Sequence, residues 1–213
     1  MSFREQPMRL YLVRHGEVAE EYHQVFGGRI DMELSPLGHS QAKHLADFLH
    51  DRSFNRIYRS PMVRVKQTAE PLLRSLGKEA LVIDDLCEVD FGVWTGYKWY
   101  EIKEKFGVDA IDWLLHLQNE DIPEAEPIDA YQSRIQKSLN RILNEGEGDE
   151  VLVFCHGGVI RMLLSLMLKE PFCKMDRFEV DYASLSVLEI RGERVELTLH
   201  NFAPWKWLPF DRG

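Results

Sequence analysis

The sequence predicts an α/β protein: a three-layer α/β/α sandwich with a mostly parallel central sheet and a small helical cap over the C-terminal ends of the strands. Three observations indicate this class. Short apolar runs alternate with longer segments whose apolar residues recur every three or four positions. Residues 151–155 are apolar throughout, as in a parallel strand covered on both faces. The segment from about 92 to 127 is aromatic, acidic and interrupted by prolines, which indicates a cap.

The first half of the chain predicts strands and helices in alternation. A helix over residues 36–51 begins near its proline and has apolar residues at helical spacing. Ser60 and Pro61 offer N-cap and N1 chemistry for a second helix, and Gly77 ends it. The predicted strands cover residues 8–13, 56–58 and 81–83.

The second half continues the alternation and ends in a hairpin. A long helix starts at Ile128 and closes at a Gly146/Gly148 turn, and the apolar run 151–155 follows it as a strand. His156 and two glycines then turn into an apolar helix that reaches Leu168. The last segments alternate between apolar and polar residues over 185–190 and 195–199, which predicts an antiparallel hairpin around Arg191 and Gly192.

The composition and net charge indicate a globular protein and disfavour some classes of binding partner. The 213 residues are 45% hydrophobic and 29% charged, as in a folded globular protein, and we expect one domain over residues 1–213. The net charge of −9 stays negative even with all eight histidines protonated, so nucleic acid and anionic membranes are not expected partners. Three cysteines without C-x-x-C spacing, and the lack of a long apolar run, predict a cytoplasmic location.

Several chemically capable side chains follow the predicted strands, at the sheet edge where open α/β folds bind ligands. Arginine beside histidine would repel a cation, so the set predicts an anion site without a metal. Its members are, in chain order, Arg14, His15, Arg64, Glu88, His156 and Gly157.

Phosphate is the anion that this set fits best. Arginine offers bidentate, permanently charged donors that match phosphate oxygens. A neutral imidazole with one protonated nitrogen can attack phosphorus through the other, and a phosphohistidine then divides one displacement into two steps. Departure of an alkoxide needs a proton, and Glu88 is the available general acid.

Five motifs cover nearly the whole chain in order: Arg-His-Gly-Glu from Arg14, Asp-x-x-Leu-Ser-x-x-Gly-x-x-Gln-Ala from Asp31, Ser-Pro-x-x-Arg-x-x-Gln-Thr-Ala from Ser60, Glu-x-x-Phe-Gly-x-Trp-x-Gly from Glu88, and His-Gly-Gly from His156. Together they resemble the histidine phosphatase superfamily, the clan of cofactor-dependent phosphoglycerate mutases and many small phosphatases. The glycine and tryptophan pattern of the fourth motif is similar to the α-ribazole phosphatase and broad-specificity phosphatase branch.

The resemblance implies roles for the predicted site and implies that neither a metal nor a cofactor is needed. The implied nucleophile is His15, the implied acid and then base is Glu88, and the implied phosphate-binding residues are Arg14, Arg64, His156 and Gly157.

Two positions depart from the family pattern. Aligned without gaps from Arg14, the mutases and many relatives have a phosphate-holding asparagine where this chain has Glu21. Their Phe-Ser/Thr-Gly stretch is Phe26-Gly27-Gly28 here, so a hydroxyl contact is missing. We therefore expect either that the Glu21 loop turns outward or that the substrate differs.

Three functions are weighed. A phosphatase acting on a small phosphorylated metabolite is the first. A bisphosphoglycerate-dependent phosphoglycerate mutase is the second, but residues 97–133 hold no arginine, three lysines and nine acidic residues, which disfavours a second phosphate. A non-catalytic phosphate-binding or interaction module is the third, and the presence of both His15 and Glu88 argues against it.

Aromatic residues leave two alternatives open. Five residues of the cap could line a pocket for an apolar leaving group or could simply form the cap's core: Trp94, Trp99, Tyr100, Phe106 and Trp113. The aromatic tail over residues 205–210 fits a homodimer contact, a second cap or packing against the domain.

Overall fold

The computed structural model describes residues 7–146 and 150–207 and is built around a six-stranded sheet. Its strands are β1 (Met8–Arg14), β2 (Arg56–Arg59), β3 (Leu81–Val82), β4 (Glu150–Cys155), β5 (Leu185–Arg191) and β6 (Arg194–Phe202). Across the sheet the order is β3-β2-β4-β1-β5-β6. The first four strands of that order are parallel, and the β5–β6 hairpin runs antiparallel at one edge. The predicted mostly parallel sheet is confirmed.

The helices of the described residues cover both faces of this sheet. They are α1 (Pro36–Leu49), α2 (Val63–Leu76), α3 (Trp99–Phe106), α4 (Trp113–Gln118), α5 (Ile128–Glu145) and α6 (Gly157–Leu168). Successive residues of β1 point to opposite faces: Tyr11 packs with the apolar residues of α1 and α2, and Leu12 with those of α5 and α6. The three-layer prediction is therefore confirmed.

Strand β4 lies between β2 and β1, and residues 151–155 are completely buried. This central position explains why the strand is apolar at every residue rather than at alternate ones. The long helix α5 buries Tyr131, Ile135 and Leu139 on one face, as its periodicity predicts.

The cap lies between β3 and α5 along the chain. It consists of short helices and 3-10 turns, among them α3 and α4. Three of its aromatic residues, Phe91, Trp99 and Trp113, line a pocket together with residues that follow the strand ends. The predicted helical cap over the carboxyl ends of the strands is thus confirmed.

Some local predictions are wrong. Helix α2 begins at Val63 rather than at Pro61, and Ser60 does not cap it, because the Ser60 hydroxyl lies 2.8 Å from Nε2 of His156. Strand β3 is only two residues long, and α1 ends at Leu49 instead of Asp51. Predictions that fall on Gly148 and on residues 208–210 lie outside the described residues.

Helix ends elsewhere follow their sequence signals. Ser35 caps α1 by accepting a hydrogen bond from the Gly38 amide at 2.9 Å, and Pro36 occupies the first helical position. Gly77 ends α2 with φ of 60°, a left-handed conformation that glycine adopts without steric cost. In residues 7–146 and 150–207, no helix combines the length and apolar character needed to cross a bilayer.

Candidate active site

The carboxyl ends of three neighbouring parallel strands place the predicted histidines side by side. Arg14 of β1 is in register with Cys155 of β4, and the next amide, that of His15, donates to the Cys155 carbonyl at 3.1 Å. His156 follows β4 directly, and the His15 and His156 rings meet edge to face with centroids 5.3 Å apart. Parallel pairing in register is therefore what brings together two histidines that are distant in sequence.

His15 is held as a neutral imidazole whose Nε2 lone pair faces a cation. Its Nδ1 lies 2.7 Å from the Gly16 carbonyl, which can only accept, so Nδ1 carries the proton. Its Nε2 is then unprotonated and accepts from Nε of Arg64 at 3.3 Å. Burial, together with the positive charges of Arg64 and Arg14, lowers the pKa of His15 well below the ordinary 6.5.

Arg64 is a buried cation aimed at this lone pair. The side chain is only 2% exposed, and it donates to the carbonyls of Ile30 at 2.8 Å and Gly28 at 2.9 Å. Burial lowers the pKa of Arg64 to about 10, so the guanidinium stays charged at neutral pH. With three of its five N–H groups used by His15, Ile30 and Gly28, two remain for an anion.

Arg14 lines the same pocket from the other side. It donates to the Val180 carbonyl at 2.5 Å, and its guanidinium carbon lies 4.1 Å from the centre of the Tyr182 ring. Its Nε is buried and has no hydrogen-bond partner among the described residues. Neither contact neutralises the charge of Arg14, which leaves that charge available to a bound anion.

His156 lies behind His15 and is fully buried. Its Nε2 pairs with the Ser60 hydroxyl at 2.8 Å, while its Nδ1 is buried without a partner in the part of the chain that the structure describes. Burial, then the charge of Arg64, lowers the pKa of His156 well below 6.5. His156 is therefore a neutral group beside His15 at pH 7.

Glu88 faces the pocket from the segment between β3 and the cap. Its Oε1 accepts from the Val89 amide and its Oε2 from the Gly158 amide, both at 3.1 Å. The buried Tyr131 hydroxyl lies close by, and burial followed by the negative charge of Glu88 raises the pKa of Tyr131 well above 10. A carboxylate thus stands at the first turn of α6, within the pocket that His15 also lines.

Arg134 of α5 fixes the segment that carries Glu88. Its guanidinium donates to the carbonyls of Asp85 at 2.6 Å, Cys87 at 2.8 Å and Glu88 at 3.2 Å. It also forms a bidentate pair with Glu126 at 2.6 and 2.8 Å. One arginine therefore ties the backbone around Glu88 to the cap and to a helix that covers the sheet.

Several residues of the second and third motifs hold the loop that follows β1. The Gly16 amide donates to Thr68 at 2.9 Å, and the Glu17 amide donates to the Gln41 side chain at 2.8 Å. The Ser35 hydroxyl donates to the Glu17 carboxylate at 2.8 Å. These contacts explain why such distant motifs occur together: they hold the one loop that follows His15.

The pocket has a volume of about 200 Å³, and its lining includes both cationic and aromatic side chains. Of the predicted site residues Arg14, His15, Arg64, Glu88 and Gly157 line it, and His156 packs behind His15. Further lining residues are Val18, Tyr22, Val25, Phe26, Gly27, Gly28, Met32, Phe91, Trp99, Trp113, Gly158, Arg161 and Tyr182.

The two departures from the family pattern have structural consequences. Glu21 is exposed in a 3-10 turn and does not line the pocket, so its charge does not oppose a bound phosphate. Gly27 lines the pocket, and a Cβ there would lie 2.0 Å from Cε of Met32. The Met32 side chain therefore packs against Gly27, at the position where the family pattern has a serine or threonine hydroxyl.

The aromatic residues of the cap divide between core and pocket. Trp94 is 2% exposed and belongs to the core, whereas Trp99 and Trp113 line the pocket. Tyr100 is 66% exposed and belongs to neither set. The core alternative thus holds for Trp94, and the pocket alternative holds for Trp99 and Trp113.

Some residues of the site escape the sequence motifs. Arg161 lies four residues after Gly157 on α6, and that spacing could have placed it on the pocket side. Tyr182 and Arg134 give no local signal, because their contacts are made across the fold. The described residues contain no group of three or more His, Cys, Asp or Glu side chains that could hold a metal ion.

A comparison with known protein families identifies the family of this chain. A family model of the histidine phosphatase superfamily (branch 1) matches residues 10–203. The chain belongs to the histidine phosphatase superfamily.

Similar histidine phosphatases have named activities. A putative phosphoserine phosphatase 2 of Hydrogenobacter thermophilus is 27% identical over 193 residues, which cover 91% of this chain and 95% of that protein. An adenosylcobalamin/alpha-ribazole phosphatase of Salmonella typhimurium is 26% identical over 200 residues, 93% of this chain and 99% of that protein. A bifunctional protein of Mycobacterium tuberculosis is 34% identical over 190 residues, and the chain spans about half of it, 51%.

Solved structures of the superfamily share the fold. A putative alpha-ribazole-5'-P phosphatase of Escherichia coli superposes with a TM-score of 0.80 at 27% identity, covering 91% of this chain and 96% of that one. A phosphoserine phosphatase of Entamoeba histolytica in complex with 3-phosphoglyceric acid gives 0.78 at 25% identity, with 91% and 96% covered. The prediction of a phosphatase from this superfamily, similar to the α-ribazole phosphatase branch, is confirmed.

Proposed function

We propose that the chain is a metal-independent phosphomonoester hydrolase that works through a phosphohistidine on His15. The observation that carries this proposal is the state of His15. Its Nδ1 proton is fixed on the Gly16 carbonyl at 2.7 Å, and its Nε2 lone pair lies beside the Arg64 guanidinium at 3.3 Å. A lone pair facing a buried cation is where the phosphorus of a bound ester would be attacked.

Charge complementarity supports the binding step. Arg64 and Arg14 both line the pocket, and neither pairs with a carboxylate among the described residues. A phosphoryl group that gains charge in the transition state would take up their free N–H groups, and a dry pocket strengthens that attraction. In this scheme His156 packs beside His15 and keeps that ring in position. Gly157 offers its backbone to the phosphate at the start of α6.

Glu88 supplies the proton in the first step and removes one in the second. As the His15–phosphorus bond forms and the ester bond breaks, the Glu88 carboxyl donates its proton to the departing alkoxide. The resulting carboxylate takes a proton from water as that water attacks phosphohistidine. Phosphate leaves, and both His15 and Glu88 return to their first states.

The substrate we propose is a small phosphorylated metabolite. The pocket volume of about 200 Å³ suits a small ester, and one wall carries Trp99 and Trp113, against which an organic leaving group can pack. The cap contributes aromatic rings to the pocket and no cation, so a mutase reaction that must hold a second phosphate is disfavoured.

Two variants test the mechanism. His15→Ala should abolish both turnover and acid-labile phosphate on the protein, because the attacking nitrogen is gone. Glu88→Gln keeps the shape but not the transferable proton. It should slow the hydrolysis of alkyl phosphates roughly 10²- to 10⁴-fold and slow the phosphorylation of His15 by p-nitrophenyl phosphate much less. The measurement is single-turnover kinetics with both esters.

The control is His39→Ala, which removes an exposed histidine of α1 and should leave both rates unchanged. Full turnover by the His15→Ala variant would refute the phosphohistidine. Equal losses on the two esters in Glu88→Gln would refute the acid role and leave Glu88 as a residue that only positions the phosphate.

A further inference from the structure

Residues 180–184 contact Arg14 and His15 from the side of β1 that lies opposite to β4. They lead into β5, the neighbour of β1 on that side of the sheet. The Arg14 amide donates to the Ser184 carbonyl at 3.1 Å, and the Ala183 amide donates to the His15 carbonyl at 3.0 Å. These hydrogen bonds fix the segment against the end of β1, and the proposed mechanism gives the segment no role.

The Arg14 side chain also rests on this segment. Its Nη1 donates to the Val180 carbonyl at 2.5 Å, and its guanidinium carbon lies 4.1 Å from the centre of the Tyr182 ring. That distance is typical of a guanidinium over an aromatic face, an attraction that holds the cation without a counter-ion. The same ring lines the pocket, with its centre 5.7 Å from that of the His15 ring. The direction of the Arg14 charge therefore depends on Val180 and Tyr182.

The backbone next to Tyr182 has an unfavourable conformation. Ala183 has φ of 47°, in the left-handed region that residues with a Cβ rarely adopt, and it is completely buried. Such a conformation persists only where the surrounding contacts fix it. The hydrogen bond from the Ala183 amide to His15 is one such contact, and the others lie on the far side of the segment.

The C-terminal segment supplies these other contacts. Asn201 accepts from the Asp181 amide at 2.7 Å through Oδ1 and donates to the Asp181 carboxylate at 2.9 Å through Nδ2. Lys206 donates to the same carboxylate at 2.7 Å, and the Trp205 indole donates to the Tyr182 carbonyl at 2.8 Å. Asn201, Trp205 and Lys206 do not line the pocket, so they reach it through the segment that carries Tyr182.

We propose that Tyr182 is a positioning residue whose ring holds the Arg14 guanidinium in the orientation that binds phosphate. This inference rests on the proposed phosphatase function, which assigns Arg14 to the phosphate. Ordering a flexible arginine on a bound anion costs conformational entropy, and a ring that already holds the guanidinium removes part of that cost before binding. The ring carries no charge, so it leaves free the N–H groups that a carboxylate partner would occupy.

Two substitutions separate the ring of Tyr182 from its hydroxyl. Tyr182→Leu removes the ring and should weaken the binding of orthophosphate roughly 3- to 30-fold, the range of a cation–π contact. Tyr182→Phe keeps the ring and should change the affinity less than about 2-fold. Isothermal titration calorimetry with orthophosphate is the measurement, and kcat/KM on p-nitrophenyl phosphate should follow the same order. Equal losses in the two variants would overturn the proposal and assign the effect to the hydroxyl.

A double-mutant cycle shows whether Tyr182 acts through Arg14. In the Arg14→Ala background the group that the ring positions is absent, so Tyr182→Leu should cause almost no further loss of orthophosphate affinity or of kcat/KM. A ring that only supports the fold would cause the same loss in both backgrounds. Losses that add in this way would overturn the proposal.

The matched control is Phe178→Leu. The Phe178 ring lies 5.1 Å from the Arg177 guanidinium carbon but does not line the pocket, so its loss should leave orthophosphate affinity unchanged. Thermal unfolding checks that each variant is folded. Trp205→Phe is the second variant, because it removes the hydrogen bond to the Tyr182 carbonyl and keeps the ring of Tyr182. It should weaken orthophosphate binding in the wild-type background and not in Arg14→Ala, and unchanged binding in both backgrounds would overturn the proposal if Tyr182→Leu does not fold.

The binding measurement separates this proposal from the proposed function, because orthophosphate binding needs no phosphohistidine. A protein that hydrolyses no ester, but in which Tyr182→Leu weakens orthophosphate binding only when Arg14 is present, would refute the phosphatase proposal and support the role of Tyr182. A protein that hydrolyses esters through His15, but whose orthophosphate affinity and kcat/KM are unchanged in folded Tyr182→Leu, would overturn the role of Tyr182 alone.

Discussion

His15 and His156 are both buried, and in each case burial is the largest cause of a pKa well below 6.5. Below pH 6.5 the unfolded chain binds protons at these histidines that the folded chain does not bind. Stability should therefore fall as the pH falls, by about 1.4 kcal/mol per pH unit for each histidine, until the folded-state pKa is reached.

Urea unfolding between about pH 7.5 and pH 5 measures this loss. His15→Ala should reduce the slope of unfolding free energy against pH by about one proton, because one buried neutral histidine is gone. His39→Ala, which removes an exposed histidine, is the control and should keep the wild-type slope. An unaltered slope in His15→Ala would show that the native state admits a proton on His15.

At the level of elements, the first turn of α6 is packed against the Glu88 carboxylate. The Gly158 amide donates to Glu88 at 3.1 Å, and a Cβ at that residue would lie 2.5 Å from Oε1 of Glu88. At Gly157 the nearest atom to a Cβ is the end of the flexible Arg161 side chain, at 3.3 Å. The two adjacent glycines therefore differ: Gly158 has no room for a side chain, whereas Gly157 has a neighbour that can move.

Gly158→Ala should displace Glu88 and slow the hydrolysis of alkyl phosphates by up to roughly 10²-fold. The rate of phosphorylation by p-nitrophenyl phosphate should fall much less, because its leaving group hardly needs a proton. Gly157→Ala should slow the hydrolysis of alkyl phosphates less than Gly158→Ala does. Thermal unfolding checks that both variants are folded. Equal rates for the two variants would show that the contact with Glu88 does not position the acid.

For the whole molecule, the cationic end of the pocket stands in a chain with a net charge of −9. Arg14 and Arg64 provide locally the charge that a metal ion would bring. Hydrolysis should therefore survive excess chelator, and vanadate, which mimics a transferring phosphoryl group, should inhibit it. Turnover in chelator-treated protein, assayed with and without added magnesium or zinc, is the measurement. Activity lost to the chelator and restored by either ion would contradict the site assignment.

Other whole-molecule expectations stay predictions: one domain over residues 1–213, a cytoplasmic location, and a tail that forms a homodimer contact, a second cap or packing against the domain. Within the described part of that tail, the Trp205 indole donates to the Tyr182 carbonyl at 2.8 Å, whereas Trp207 is 77% exposed. One tryptophan thus packs back toward the pocket, and the other faces solvent.

The sequence by itself determined the fold class, the strand and helix order and the candidate site residues that the structure brings to one pocket. Apolar periodicity follows directly from which face of an element is buried. Arg14 ends strand β1, His156 follows strand β4 and Arg64 lies at the start of helix α2, so these three stand at element ends that the sequence signals. The N-cap prediction at Ser60 was wrong because a serine hydroxyl can form a hydrogen bond either with a helix end or with another side chain. Only the fold shows that Nε2 of His156 lies 2.8 Å from this hydroxyl.

The tertiary structure alone decided the protonation of the buried histidines and the orientation of the pocket side chains. The neutral state of His15 depends on burial and on the Gly16 carbonyl, and Glu21 turns outward through the path of its loop. The positions of Arg134 and Arg161 depend on α5 and α6 packing on the sheet. Such contacts join residues far apart in the chain, and local sequence specifies which residues are available but not which atoms meet.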